Sequence, residues 1–484
     1  MNTIYNFQII KYMINIPNWI IILFALILII GILYKVYYSE YFEKIFNNKN
    51  FEKLFDNISN KNTKTIIDIL KYNSKKYPNN IALKVNNGKN NWKTITYSQY
   101  YENVINFAQS TNYWLGSHVN IGIMGCNSPG LFYSYLGSMV NGGFAIGLPI
   151  NGLEKVYEKI ITDNNIELLI IESDEQLNKL STINISNIKL IVYYSPISKS
   201  TIKKFKIPVF SMGVFMNEKT TEIIMPKIND VATILYNNNI GVVMTHKNIM
   251  YSINKILDCI KNKSELKVFE FEQILSYIPF NNILAQYIDI YLAITSISTV
   301  TLADKHGLHK SINKILHKVK PTIFIGFPKI WEKIKHNIED KINKNGISEQ
   351  LTKFFSPSKI IEKNGLDKCK LMMIANGFDN NKKINNNELF DFFKNLNIDI
   401  YNMFGLTETC GPISITLPNL YKYNSMGYNL MDIKFIKNNE IIVKGDNLFK
   451  NYKNNKELTK TVFKNNWLKT GYFGYLKDEF LFLS

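Results

Sequence analysis

Thr407, Glu408 and Thr409 set a carboxylate between two hydroxyls, directly after the apolar-rich run Tyr401–Leu406. A carboxylate can hold a divalent cation, and a hydroxyl beside it can reach a reacting phosphate. Alone, such a triplet also reads as a turn between a strand and a helix. A second stretch, Tyr236–His246, draws notice for what it lacks. A phosphate cradle needs small residues, so that backbone N–H groups can close on the oxygens, and a cation to offset their charge. Asn237-Asn238-Asn239-Ile240 supplies neither. Asp304, His306 and His309 have the look of a metal motif but lack a further ligand set, so a loop or helix start fits them better. Ser128 and Ser276 lack the sharp strand-to-helix context of a nucleophile and read as a cap and a strand residue. His246 reads as structural.

The elements that must position these residues alternate apolar strand with amphipathic helix. Thr65–Tyr77 has helical spacing, while Ile81–Val85 and Thr94–Thr96 alternate like strands about the turn 86–88. Ser98, with Glu102 behind it, is expected to start a helix. Val119–Met124 reads as a short buried strand, followed by Ser128 and Pro129 as a helix start. Leu168–Glu172, Leu190–Tyr194, Thr322–Gly326, Leu371–Ala375 and Asp399–Met403 continue the series. Strands separated by helices imply parallel α/β layers. From Asp432 the pattern changes to short strands with turns, at Lys434–Lys437, Glu440–Lys444 and Glu479–Leu483. The organisation expected is an anchor over residues 1–38, a polar tether over 39–62, a large α/β domain over 63–430 and a small β subdomain over 431–484.

The anchor rests on the unbroken apolar run Trp19–Tyr34, within a helix expected over about 17–36. Trp19 lies at one edge and Tyr34, Tyr37 and Tyr38 at the other, as in an aromatic belt. A cleaved signal peptide is the alternative, but no small-residue cleavage site follows. Lys35 and Lys44 against Lys11 place the main body in the cytosol, with the endoplasmic reticulum as the expected membrane. The chain has 484 residues and a net charge of +18, and all 57 basic residues are Lys. That balance favours acidic partners, though scattered Lys residues also make an ordinary solvated surface. The absence of Arg removes the planar fork that binds phosphate bidentately. Cys126, Cys259, Cys369 and Cys410 form no close pair, which argues against a zinc or disulfide scaffold and fits a reducing compartment.

Several segments together carry a family resemblance. Tyr401–Thr409 resembles the Tyr-Gly-x-Thr-Glu motif of AMP-forming acyl-CoA synthetases, and Leu275–Gln286 resembles the segment that lines the acyl site in long-chain members. Val319–Ile334, Gly365–Lys370, Ser425–Tyr428, Glu440–Gly445, Asn451-Tyr452 and Trp467–Gly474 agree in order and spacing over residues 65–484. The nearest branch is similar to the bubblegum-type long-chain synthetases. The resemblance implies the adenylate-forming α/β fold and a two-step reaction. A fatty carboxylate attacks the α-phosphate of ATP, giving acyl-AMP and pyrophosphate, and the thiol of the co-substrate CoA then displaces AMP. It implies Thr407 at the α-phosphate, Glu408 as the Mg²⁺ ligand, Phe404, Gly405, Gly377, Tyr472 and Thr245 around the nucleotide, and Asn282, Ile283, Gln286 and Gly326 in the acyl pocket. Expected partners are a long-chain fatty acid or acyl-CoA, a membrane and an active synthetase, with no nucleic acid.

Departures from the pattern bear on that chemistry. The phosphate loop is about five residues short, and Ile240 falls where its Lys belongs. Tyr472 stands in place of the Asp that binds the ribose hydroxyls, Asn282 in place of a His, and Ala375–Asp379 in place of an adenine-binding Gly-Ala-Ala-Pro. The sequence stops at Ser484, before the hinge and C-terminal lid of the family. A misplaced splice boundary or premature stop could account for the loop and the lid, but not for the changes at 282, 378 and 472. The expectation is a catalytically impaired synthetase or an inactive acyl-binding relative.

Overall fold

Thr65 opens the first described helix, Ile66–Lys76, by a reciprocal cap in which Thr65 Oγ1 accepts from Asp68 N and Asp68 accepts from Thr65 N. The computed structural model describes residues 64–86, 92–150, 152–237, 239–266, 270–303, 312–344, 357–378 and 387–484. The expected anchor, the tether up to residue 62 and the stretch Asp304–His309 lie outside the described residues. Among the described residues no helix is long and apolar enough to cross a membrane.

The next helix is Tyr97–Leu115, and its start corrects the expectation at Ser98. Thr96 caps it and Gln99 closes the box, with Gln99 N donating to Thr96 Oγ1 and Thr96 N to Gln99 Oε1. The box needs a spacing of three, which Thr96 and Gln99 have and Ser98 and Glu102 do not. Ser128 caps Pro129–Ser138 as expected, accepting from Leu131 N at 3.1 Å.

Two sheets carry the α/β architecture. The eight-stranded sheet has a parallel run built from Val231–Asn237, Phe144–Gly147, Asn120–Ile123, Leu168–Ile171, Leu190–Tyr193 and Val209–Ser211, in that spatial order. Its inner strands are largely apolar, and Ile146, Leu169, Ile171, Ile191 and Ile234 are buried in one cluster with Ile160 and Leu177 from neighbouring helices. The fourteen-stranded sheet has a parallel centre that includes Gln273–Ser276, Ile323–Gly326, Leu371–Asn376 and Tyr401–Leu406.

Tyr401–Leu406 begins two residues later than the expected Asp399–Met403 and runs to the edge of Thr407. Its register, Met373↔Tyr401 through Asn376↔Phe404, aligns the ends of two strands that bear expected site residues. Of the short strands after residue 431, Asp432–Phe435, Glu440–Lys444, Trp467–Lys477 and Phe480–Leu483 join the same large sheet through Gly427–Asn429, while Asn451–Tyr452 joins the eight-stranded one.

Candidate functional site

The strands Val231–Asn237 and Ile240–Thr245 are paired from Val231↔Thr245 to Asn237↔Ile240, with a register shift between Val231 and Thr233. Residues 238–239 alone join them, and Asn239 takes the left-handed conformation at φ 64°. Two-residue hairpins favour residues that tolerate positive φ, which Asn does. Where a phosphate loop was expected, the two strands run as a paired ladder down to Asn237↔Ile240. Thr245, expected beside the nucleotide, caps the helix His246–Lys263 through a reciprocal bond with Asn248. His246 is buried behind it, and burial lowers its imidazole to about 4.

The outer edge of Ile240–Thr245 is covered by a strap from the C-terminal part of the chain. Asn451 and Tyr452 pair with Val243 and Val242. Lys450 N donates to Val243 O at 2.8 Å, and Lys453 N to Gly241 O at 2.7 Å.

Thr407–Thr409 forms a single 3-10 turn at the end of Tyr401–Leu406. Thr407 is buried and Glu408 half-buried. Glu408 Oε1 accepts a hydrogen bond from the Tyr452 phenol at 2.9 Å, and its carbonyl accepts from Phe449 N at 2.8 Å. Burial, with the adjacent charge of Glu408, pushes the Tyr452 phenol up, so it remains a donor. Among the described residues no group of three or more His, Cys, Asp or Glu is placed to hold a metal ion.

The residues expected around adenine and ribose do come together, and they fill their own space. Gly377, at φ 83°, meets the Gly405 carbonyl and the Phe404 ring: a Cβ there would lie 2.4 Å from the first and 3.1 Å from the second. A Cβ on Gly405 would lie 2.6 Å from the tip of the Phe378 ring. Phe404, expected to stack on adenine, is fully buried and packs edge-on against Tyr472 with ring centroids 5.1 Å apart. Tyr472 is itself 6% exposed. The rings of Phe378, Phe404 and Tyr472 thus pack together at the strand ends where the resemblance led to the expectation of a nucleotide.

The acyl-site residues are equally committed. Asn282 caps a short helix, Ile283–Gln286, and its Oδ1 accepts from Leu284 N at 2.8 Å. Its amide donates to the Phe378 carbonyl at 3.3 Å, which joins the acyl segment to the aromatic cluster. Gln286 is fully buried, accepting from the Tyr135 phenol at 2.9 Å and donating to Phe280 O at 3.2 Å. Ile283 is core, and Gly326 lies against Tyr277 and Trp331. A π-helical turn, Tyr287–Leu292, follows this segment and carries the buried Asp289, whose carboxyl burial pushes up to about 8. Such turns gather at functional sites. Sequence reading gave neither Asp289 nor Tyr452 a role; the motif segment Asn451-Tyr452 was the available pointer.

The AMP-binding enzyme family model matches residues 70–453. Long-chain-fatty-acid–CoA ligase ACSBG2 of Mus musculus is 26% identical over 477 residues, covering 87% of this chain and 69% of the relative. The Homo sapiens protein of that name is 28% identical over 444 residues, covering 82% and 65%. The chain therefore spans about two thirds of the length of the curated relatives it matches. Among solved structures, the A domain of carboxylic acid reductase from Segniliparus rugosus, in complex with AMP and a carboxylic acid, superposes with a TM-score of 0.73 at 12% identity. It covers 89% of this chain and 75% of that one. O-succinylbenzoate CoA synthetase from Bacillus subtilis, with ATP and magnesium, gives 0.63 at 17% identity, covering 87% and 79%. With the family model spanning most of the chain and the adenylate-forming fold in place around Thr407 and Glu408, this protein belongs to the AMP-binding enzyme family.

Proposed function

We propose that this chain is a member of the long-chain fatty acid–CoA ligase branch that does not adenylate, and that it acts by binding a long-chain fatty acid or acyl-CoA. The observation that carries this reading is the β-ladder between Val231–Asn237 and Ile240–Thr245, closed down to Asn237↔Ile240. A phosphate cradle needs unspent backbone donors and a cation; the described strands of this hairpin are paired with each other, and residues 231–245 carry no Lys.

ATP and Mg²⁺ do not fit the residues present. The Phe378 ring touches Gly405, Tyr472 packs on Phe404, and Glu408 Oε1 is taken by Tyr452. A phenol cannot accept two ribose hydroxyl bonds as a carboxylate can. Each factor of ten in rate corresponds to about 1.4 kcal/mol of barrier, and the phosphate contacts of an active site are lost here together. The long-chain acyl ligand is inferred from the relatives' names. In this reading the apolar run Trp19–Tyr34 holds the protein at a membrane with its main body in the cytosol, where it works alone or beside an active synthetase.

The test is palmitate-dependent pyrophosphate release from ATP by the full chain with Mg²⁺, beside an active synthetase. The expected result is no release, together with saturable binding of radiolabelled palmitate or palmitoyl-CoA. Release that needs both palmitate and Glu408 would establish the second reading, an active ligase, which the retained Thr407–Glu408 pair favours.

A further inference from the structure

Glu408 and Tyr452 are 44 positions apart in sequence and meet at 2.9 Å. The partner that brings them together is the hairpin itself. Tyr452 is in register with Val242, so its backbone is fixed to the edge strand while its side chain reaches the 3-10 turn at Thr407–Thr409. The rest of the strap reinforces this placement. Phe449 N donates to the Glu408 carbonyl, and Tyr452 N donates to Thr459 Oγ1 at 3.0 Å. The Phe449 ring lies 4.6 Å from that of Tyr452 and stacks on Phe463. Both the main chain and the side chain of Glu408 are therefore engaged by one segment, residues 449–452.

An unpaired sheet edge is a liability, and a short strand laid along it is one remedy. A strand of two residues contributes few ladder bonds, so the strap needs a further fastening. A hydrogen bond to an ionised carboxylate is about twice as strong as a neutral one. We infer that Glu408 in this chain is one half of a cross-link with Tyr452 that fastens the strap, laid along the hairpin edge, to the 3-10 turn at Thr407–Thr409, in place of a cation ligand. The inference rests on the closed nucleotide site proposed above, but its test is separate from turnover.

The experiment compares the full-length wild type with Glu408→Ala, Tyr452→Phe and the double variant, under conditions where circular dichroism shows each to be folded. Limited trypsin digestion reads cleavage after Lys450 and Lys453, and electron paramagnetic resonance reads Mn²⁺ binding. Each single change is expected to speed strap cleavage roughly tenfold, with the double variant no faster than the faster single. Glu408→Gln, which keeps an acceptor, restores part of the protection. Wild type takes up no Mn²⁺ that Glu408→Ala abolishes. Unchanged cleavage in both single variants, or multiplied effects in the double, would overturn the cross-link. Mn²⁺ uptake that depends on Glu408 would overturn the displaced cation role. Pyrophosphate release with the cleavage pattern intact would sink the proposed function and leave the cross-link standing.

Discussion

The Tyr472 ring meets Phe404 edge-on at 5.1 Å, and Phe404 in turn lies against Gly377, where a Cβ would sit 3.1 Å from its ring. Where the family resemblance led to the expectation of a carboxylate, Tyr472 is part of a packed aromatic wall. Restoring the carboxylate alone places a charge at a site 6% exposed. Tyr472→Asp is expected to destabilise by about 2–4 kcal/mol in chemical denaturation, without producing measurable AMP binding.

Gly377 allows the close approach of two strand ends. Its φ of 83° and the Gly405 carbonyl, 2.4 Å from where a Cβ would lie, leave no room for a side chain. Gly377→Ala should cost about 2–4 kcal/mol, read as a lower denaturation midpoint with an unchanged slope.

The hairpin turn depends on Asn239 at φ 64°. A β-branched residue is a steric outlier in that conformation. Asn239→Val is expected to lose about 1–2 kcal/mol, while Asn239→Gly stays close to wild type. Equal stability of all three would mean that Asn239 does not hold the left-handed conformation.

Asp289, 4% exposed, accepts from Ser276 Oγ at 2.6 Å, with Asn127 Nδ2 at 3.4 Å. Burial lifts its carboxyl from 3.8 to about 8. The folded protein keeps a proton that the unfolded chain releases above 3.8, so this group's contribution is full at low pH and is lost as pH rises through about 8. Glu270, lifted to about 7, acts in the same direction. His246, lowered to about 4, acts in the opposite one, removing stability as pH falls from 6.5 towards 4. Asp289→Asn should flatten the decline of stability between pH 5 and pH 8. A slope identical to wild type would show that Asp289 is ionised in the folded state.

Much of this arrangement was legible in sequence, for identifiable reasons. Ser128 before Pro129, the apolar runs at Leu168 and Leu190, and Glu440–Lys444 each have a local cause, in a cap or in strand burial, and the structure has them within a residue or so. The family segments placed Gly377, Phe404, Gly405 and Tyr472 together, as found. What escaped is long-range. Asn282 bonding to Phe378 and Tyr452 reaching Glu408 depend on how distant strands align, which no local pattern encodes. The misplaced helix start at Ser98 was local, and the three-residue spacing from Thr96 to Gln99 would have found it.

Equilibrium binding of ATP with Mg²⁺, and of AMP, to the full-length protein by isothermal titration calorimetry tests the closed nucleotide site most directly. The hairpin and the packed rings predict no saturable heat for either nucleotide at concentrations that saturate an active synthetase. Saturable, Mg²⁺-dependent ATP binding that is lost in Glu408→Ala would contradict the account.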